Sequence, residues 1–300
     1  MAPVIRRQMS LTSFVETKKV RERFAKEFQK PRLVGNREML APPLTKNYST
    51  VGIAFDYLLR FYLKRLNPGA RTQEWIAEVG ITYLEGEGNL YTPACDKMRQ
   101  AKRDYAIYLK KGKFGDELIC SAIFLAKMDS VYRVPMFHPV FRVGPEGTKF
   151  RKKFLQVDDQ DVADLRRLVS LLPSLPSNTF HAKRVCILNP TFGNASILVG
   201  GADADFVIDD MLIELKTTKR HELQRKHFNQ LIGYYCLHQI GRIRGAPKNH
   251  KILRFGVYYS RFGYLWTLDV RDVIDKKKFP PFLKWFRRDE NDRDSSLRSE

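Results

Sequence analysis

Cysteine is scarce in this chain. The four present, Cys95, Cys120, Cys186 and Cys236, stand far apart without C-x-x-C spacing, which excludes a paired-cysteine zinc cluster and a disulfide framework. Reduced thiols in the cytoplasm are expected. Long apolar runs are missing too: nowhere do the about 18 consecutive apolar residues of a membrane span occur, and the opening MAPVIRRQMSLTSFVETKK has no apolar core of a secretion signal. A soluble intracellular protein without a membrane partner is expected. There is no phosphate-cradling Walker loop and no internal repeat. Acidic residues are in deficit, 33 Asp and Glu against 53 Lys and Arg, a formal charge of +20. Such a field draws polyanions, so nucleic acid is the expected partner, DNA first and RNA as the alternative, ahead of an anionic membrane surface.

What is present divides along the chain. Residues 1–48 mix Lys, Arg and Pro around short apolar stretches and read as a loosely structured basic arm. In residues 49–69, Phe55, Leu58, Leu59, Tyr62 and Leu66 recur at helical spacing and Pro68-Gly69 closes the run, which predicts a first core helix. Residues 70–172 are predicted to be a mostly helical insertion, with helices over 73–85, 92–111 (opened by Thr92-Pro93), 116–133 and 158–172, and a looser basic stretch at 149–153. The 92–111 helix carries Lys97, Arg99, Lys102, Arg103, Lys110 and Lys111 largely on one face, a candidate nucleic-acid clamp. After LLPSLPSN the pattern changes to short apolar runs, RVCIL, SILVGG, DADFVID and MLIEL, which read as strands of a sheet. A helix over 222–239 and a hairpin of ILRFGVYYS with GYLWTLDV complete the 173–285 core. Residues 286–300 read as a frayed polar tail.

The chemistry concentrates in GGADADFVIDDMLIELKTTK. Counting outward from a turn at Asp209-Asp210 sets Ile208 opposite Met211, Asp205 opposite Glu214 and Asp203 opposite Lys216. Alternation along the strands then puts these four charged groups on one face, while Phe206, Ile213 and Leu215 point to the other. Clustered carboxylates repel one another and raise each other's pKa; a hard divalent cation relieves that cost, and an adjacent lysine suits a phosphate substrate.

With these residues in place, the sequence resembles the PD-(D/E)XK nuclease superfamily, specifically its RecB-like exonuclease branch. Asp205-Phe206-Val207-Ile208, Glu214-Leu215-Lys216 and the helical pair Gln230 and Tyr234 follow that branch's order of motifs. The resemblance implies an α/β, restriction-endonuclease-like core with a mixed central sheet flanked by helices, and a Mg²⁺- or Mn²⁺-dependent deoxyribonuclease. It implies Asp205, Glu214 and the Leu215 carbonyl as metal ligands, Lys216 in transition-state stabilisation or water positioning, and Gln230 with Tyr234 over the site, touching DNA or the lysine region. In the branch's Gly-x-x-x-His helix, Gly52 is in place and Asp56 falls where the histidine would, an oxygen ligand in its stead. Ala202 replaces the usual glycine upstream of the motif aspartate, so Asp203 competes with Asp205; the apolar continuation favours Asp205. The four-cysteine iron-sulfur pattern of some relatives is missing. The expected function is metal-dependent DNA cleavage in repair, recombination or defence against foreign DNA; the alternative is a catalytically silent nucleic-acid-binding subunit.

Overall fold

The structure is a computed structural model and describes residues 10–33, 35, 37–134 and 137–296. Within the segment expected to be a loose arm it contains two helices, α1 (Leu11–Glu16) and α2 (Lys18–Glu27); residues 1–9 lie outside the described residues. Ser10 and Ser13 form a reciprocal capping box that starts α1. Leu11, Phe14, Val20 and Phe24 are fully buried, which is what stabilises helices this short.

The next helices are α3 (Tyr48–Leu66), α4 (Ile76–Thr82), α5 (Gly88–Lys111), α6 (Asp116–Arg133), α7 (Pro145–Phe154) and α8 (Asp159–Ser170). α5 begins ahead of the expected Thr92-Pro93 start, because the Glu87 carbonyl accepts from Leu90 N and Tyr91 N and winds a turn before the proline. The basic stretch at 149–153 is helical within α7, which Gly144 and Pro145 initiate.

The sheet follows: β1 (Cys186–Leu188), the short α9 (Ala195–Leu198), β2 (Phe206–Ile208), β3 (Met211–Lys216), α10 (Arg225–Gly241), β4 (Arg254–Tyr259), β5 (Tyr264–Asp269) and α11 (Phe279–Ser296). SILVGG was expected as a strand and is instead part of a tight turn. Ser196 Oγ takes a hydrogen bond from Phe192 N at 3.0 Å and donates one to Ala202 O at 3.0 Å, folding the run onto itself. The strands lie in the order β1-β2-β3-β4-β5. β3 and β4 are parallel and joined through α10, whereas the other neighbours are antiparallel. The fold is α/β with a five-stranded mixed sheet, as the sequence predicts in outline.

Both faces of the sheet are covered, which explains why its strands read as unbroken apolar runs. Phe206, Ile208, Ile213, Leu215 and Tyr258 pack with α3, α5, α6 and α8 in one core. Val207, Leu212, Phe255, Val257 and Tyr259 pack with α1, α2, α10 and α11 in the other. Residues 70–172 thus supply most of one helical layer. The contact starts at once: Arg71 N donates to Cys186 O and Leu188 N to Arg71 O, each at 2.9 Å, tying the segment to β1. The expected polar tail begins inside α11, where buried Phe286 lies edge-on to Phe14 at 5.4 Å. Among the described residues no helix is long and apolar enough to cross a membrane.

Candidate metal and phosphate site

The hairpin has the register counted from its turn: Ile208 pairs with Met211, Val207 with Leu212 and Phe206 with Ile213. The positive φ of Asp209 (50°) makes the turn, and its carboxylate accepts from Lys183, Arg184 and Val185 amides, which hold its pKa low despite partial burial. One step beyond the ladder, the Asp205 carboxylate accepts a short hydrogen bond from Leu215 N. Asp205 and Glu214 therefore stand side by side on the α10 face.

Asp203 does not continue the pairing. Ala204 N donates to Pro190 O, Asn189 N donates to Asp205 O at 2.8 Å, and Asp203 bridges to Thr191. The chain turns off β2 toward residues 189–191, so the expected Asp203–Lys216 cross-strand pair does not form. Lys216 Nζ instead donates to Glu214 Oε1 at 2.7 Å on its own strand and to Gln230 Oε1 at 3.3 Å.

α10 completes a relay. Gln230 Nε2 donates to the Tyr234 hydroxyl at 2.9 Å, and that hydroxyl donates to the Asp203 carbonyl at 2.7 Å. Both residues are buried, so neither faces a macromolecular ligand. Gln230 fixes the lysine and Tyr234 fixes the peptide leading into Asp205. Gly233 between them lets α1 close in, since a Cβ there would meet the Leu11 side chain at 2.8 Å.

α3 reaches the same place from the opposite layer. Its Gly52 faces Thr217, just beyond β3, and one turn later Asp56 is half-buried, paired with Arg60 at 2.6 Å. Burial is the main cause that raises the Asp56 pKa; Arg60 opposes it and Asp129 adds to it. Asp205 is pushed well up by burial, then by Glu214 and Asp56. Glu214 is raised by burial against the pull of Lys216, with Asp203 and Asp56 contributing. Asp203 is also raised by the surrounding protein although its side chain stays exposed, the combination expected of a residue lining a cleft.

These shifts predict a pH dependence. Unfolded carboxyls titrate near their ordinary values, about 3.8 for Asp and 4.5 for Glu, whereas the native ones hold protons to higher pH. The folded state is therefore unpenalised below those values and loses stability as pH climbs through the raised native pKa values. Without divalent ions, Tm should fall as pH rises above the ordinary carboxylate range, and Asp205→Asn should flatten the decline; an Asp205→Asn curve parallel to wild type would contradict the origin of the effect.

Sequence reasoning missed Arg60, Asp129 and Arg133. Asp129, buried on α6, accepts from Arg133 Nε and from the Tyr57 hydroxyl; Arg133 in turn feels Asp203 and Asp56. The available signal was two Asp and Arg pairs at i,i+4, each set into a strongly apolar helix. Among the described residues no three His, Cys, Asp or Glu side chains form a ready-made cation cage. The donor set nonetheless fits a hard cation: its groups are all oxygen, they repel one another, and the buried Glu214 Oε2 has no hydrogen-bond partner. No protein-family model, no curated protein and no solved structure matches this chain.

Proposed function

We propose that this protein is a metal-dependent nuclease that hydrolyses DNA phosphodiester bonds. The observation that carries the reading is the meeting of Asp205, Glu214 and Lys216 in one largely buried cluster, in which the Glu214 Oε2 has no hydrogen-bond partner. The mixed sheet flanked by two helical layers supports a restriction-endonuclease-like core, and the charge of +20 supports a polyanionic substrate. Four free thiols suit a reducing, cytoplasmic setting.

Asp205, Glu214 and the Leu215 carbonyl would hold Mg²⁺ or Mn²⁺, and Asp56 would contribute a further oxygen. When bound, the ion supplies Lewis acidity at the phosphate and an acidified water. Lys216 donates to a phosphate oxygen as negative charge builds there, and Gln230 keeps its ammonium aimed. Water adds its oxygen to phosphorus and releases a proton to solvent, the bond to the departing strand breaks, and the leaving oxygen takes a proton back from solvent, so that one water is consumed for each bond cut. Tyr234 acts as a positioning residue through the Asp203 carbonyl.

The test is incubation with linear, circular and single-stranded DNA, and with RNA, in Mg²⁺, Mn²⁺ or EDTA. DNA cleavage that requires the ion is expected; tight binding without cleavage in any condition would favour a silent binding subunit. For the positioning role, Tyr234→Phe should lower kcat about tenfold to a hundredfold with KM little changed. A Tyr234→Phe protein with wild-type kcat would remove that role.

A further inference from the structure

The carboxylate cluster presents an electrostatic obstacle to a polyanionic substrate. Asp56, Asp129, Asp203, Asp205 and Glu214 gather there with three cations, Arg60, Arg133 and Lys216, so a phosphate entering the cleft meets an excess of negative charge. A cation at the mouth removes the obstacle. The Arg60 and Lys216 side chains are only 11% and 14% exposed, whereas that of Arg133 is 54% exposed. Its neighbours Tyr132 and Val134 are exposed as well, so this end of α6 is uncovered.

Arg133 is also held in place. Its Nε donates to Oδ1 of Asp129, one turn earlier on α6, a residue 2% exposed whose Oδ2 accepts from the Tyr57 hydroxyl at 3.4 Å. The Arg60 guanidinium lies over the Tyr57 ring, 4.3 Å from its centroid, and Arg60 pairs with Asp56 at 2.6 Å. This run of contacts ties Arg133 to the cluster. Asp203, with its exposed side chain, is close as well: burial raises its pKa, and Arg133 is the first of the charges that oppose the rise.

Only Nε is engaged. Neither Nη nitrogen of Arg133 has a hydrogen-bond partner among the described residues, which leaves two N–H₂ groups in one plane, oriented by the Nε anchor. Paired donors in a plane match two oxygens of a phosphodiester.

We propose that Arg133 is a phosphate clamp: its Nη groups bind a backbone phosphate of DNA at the mouth of the cleft, adjoining the phosphate that Lys216 would meet, and Asp129 holds the fork in that pose. The part played in cleavage rests on the nuclease reading; the binding of a backbone phosphate does not. The competing role is structural, with Arg133 only neutralising the buried Asp129. Arg133→Lys separates the two. A lysine ammonium is a single point charge, so one drawn to Asp129 keeps that carboxylate paired but offers no fork to a phosphate.

The experiment is a titration of the full chain with labelled duplex oligodeoxynucleotide in EDTA over a series of salt concentrations, with a thermal melt of each protein. Arg133→Lys should keep a Tm near wild type yet bind about tenfold more weakly, and the slope of log affinity against log salt should shrink by about one. Arg133→Gln should lose binding to the same extent and melt lower. Arg166→Ala is the matched control, since the Arg166 side chain is 55% exposed and pairs with Asp116 at the opposite end of α6; its affinity should stay within about twofold of wild type. Wild-type affinity and salt slope in Arg133→Lys would overturn the clamp, as would an equal weakening in Arg166→Ala or a wild type that does not bind DNA. Cleavage assays keep the two readings apart. Ion-dependent cleavage with an unchanged KM in Arg133→Lys removes the clamp and leaves the nuclease. Loss of binding in Arg133→Lys, with no cleavage by wild type in any ion, removes the nuclease and leaves the clamp. Where both hold, Arg133→Lys raises KM about tenfold with kcat little changed.

Discussion

Glu214→Gln should give a folded protein whose DNA cleavage is slower by about a thousandfold or more, the scale seen when a single electrostatic group is taken from a transition-state site. The amide keeps the shape and one hydrogen-bonding oxygen for Lys216 but removes the charge that would hold the proposed cation. Stability should be unharmed or slightly improved. Glu214 is buried, its pKa is raised by burial and by Asp203 and Asp56, and its Oε2 has no partner, so the ionised group is a cost to the fold. Lys216→Ala should be comparably inactive for a different reason, loss of the ammonium that in the proposed reaction would meet the phosphate. It leaves Glu214 Oε1 without its 2.7 Å partner, so its Tm should fall rather than rise. Loss of activity with opposite effects on Tm is the pattern that separates a catalytic cluster from a structural ion pair. Similar cleavage by wild type and Glu214→Gln would remove the residue from the site.

The second large effect is on folding. Arg261, in the turn joining β4 to β5, is 1% exposed, and Asp164 of α8 is fully buried. They form a bidentate pair, Nη1 to Oδ1 at 2.8 Å and Nη2 to Oδ2 at 3.1 Å, and Nη1 also donates to the Ala41 carbonyl at 3.0 Å. Asp164→Ala leaves a guanidinium in the core with no counter-charge, at a cost of about 3–5 kcal/mol. For a chain this long that lowers Tm on the order of 10 °C. The double variant Asp164→Leu with Arg261→Met removes both charges and should recover most of the loss, since the attraction between buried ions only roughly offsets their desolvation. Calorimetry decides this: a wild-type Tm for Asp164→Ala contradicts it. The pair also shows why residues 70–172 are not a removable insertion, because α8 from that segment anchors the far end of the sheet.

The legible part of the site was the part governed by counting. Two apolar runs flanking Asp209-Asp210 admit one register, and that register fixed Asp205 beside Glu214 with Phe206, Ile213 and Leu215 behind. Asp203 was misplaced because the ladder ends where Pro190 and Asn189, far upstream, capture the chain. The first helices were read as a loose arm for a related reason. Six and ten residues give little periodic signal, and their stability comes from α10 and α11 some 200 residues away, through contacts such as Phe24 to Phe282 at 5.2 Å. Asp129 and Arg133 carry no motif. Their relevance lies in α6 passing the site, a packing fact that local spacing does not encode. Gln230 and Tyr234 were found by spacing, and of the two contacts expected for them, DNA or the lysine region, the geometry has the second: Gln230 accepts from Lys216, and Tyr234 donates to the Asp203 carbonyl.

The most direct measurement is the rate of phosphodiester cleavage in Mn²⁺ and in EDTA, by wild type and by Asp205→Asn protein shown to be folded. Cleavage by wild type only when the ion is present, and near-complete loss in Asp205→Asn, is the predicted result. Cleavage that persists in EDTA, or that Asp205→Asn retains in full, would contradict the site.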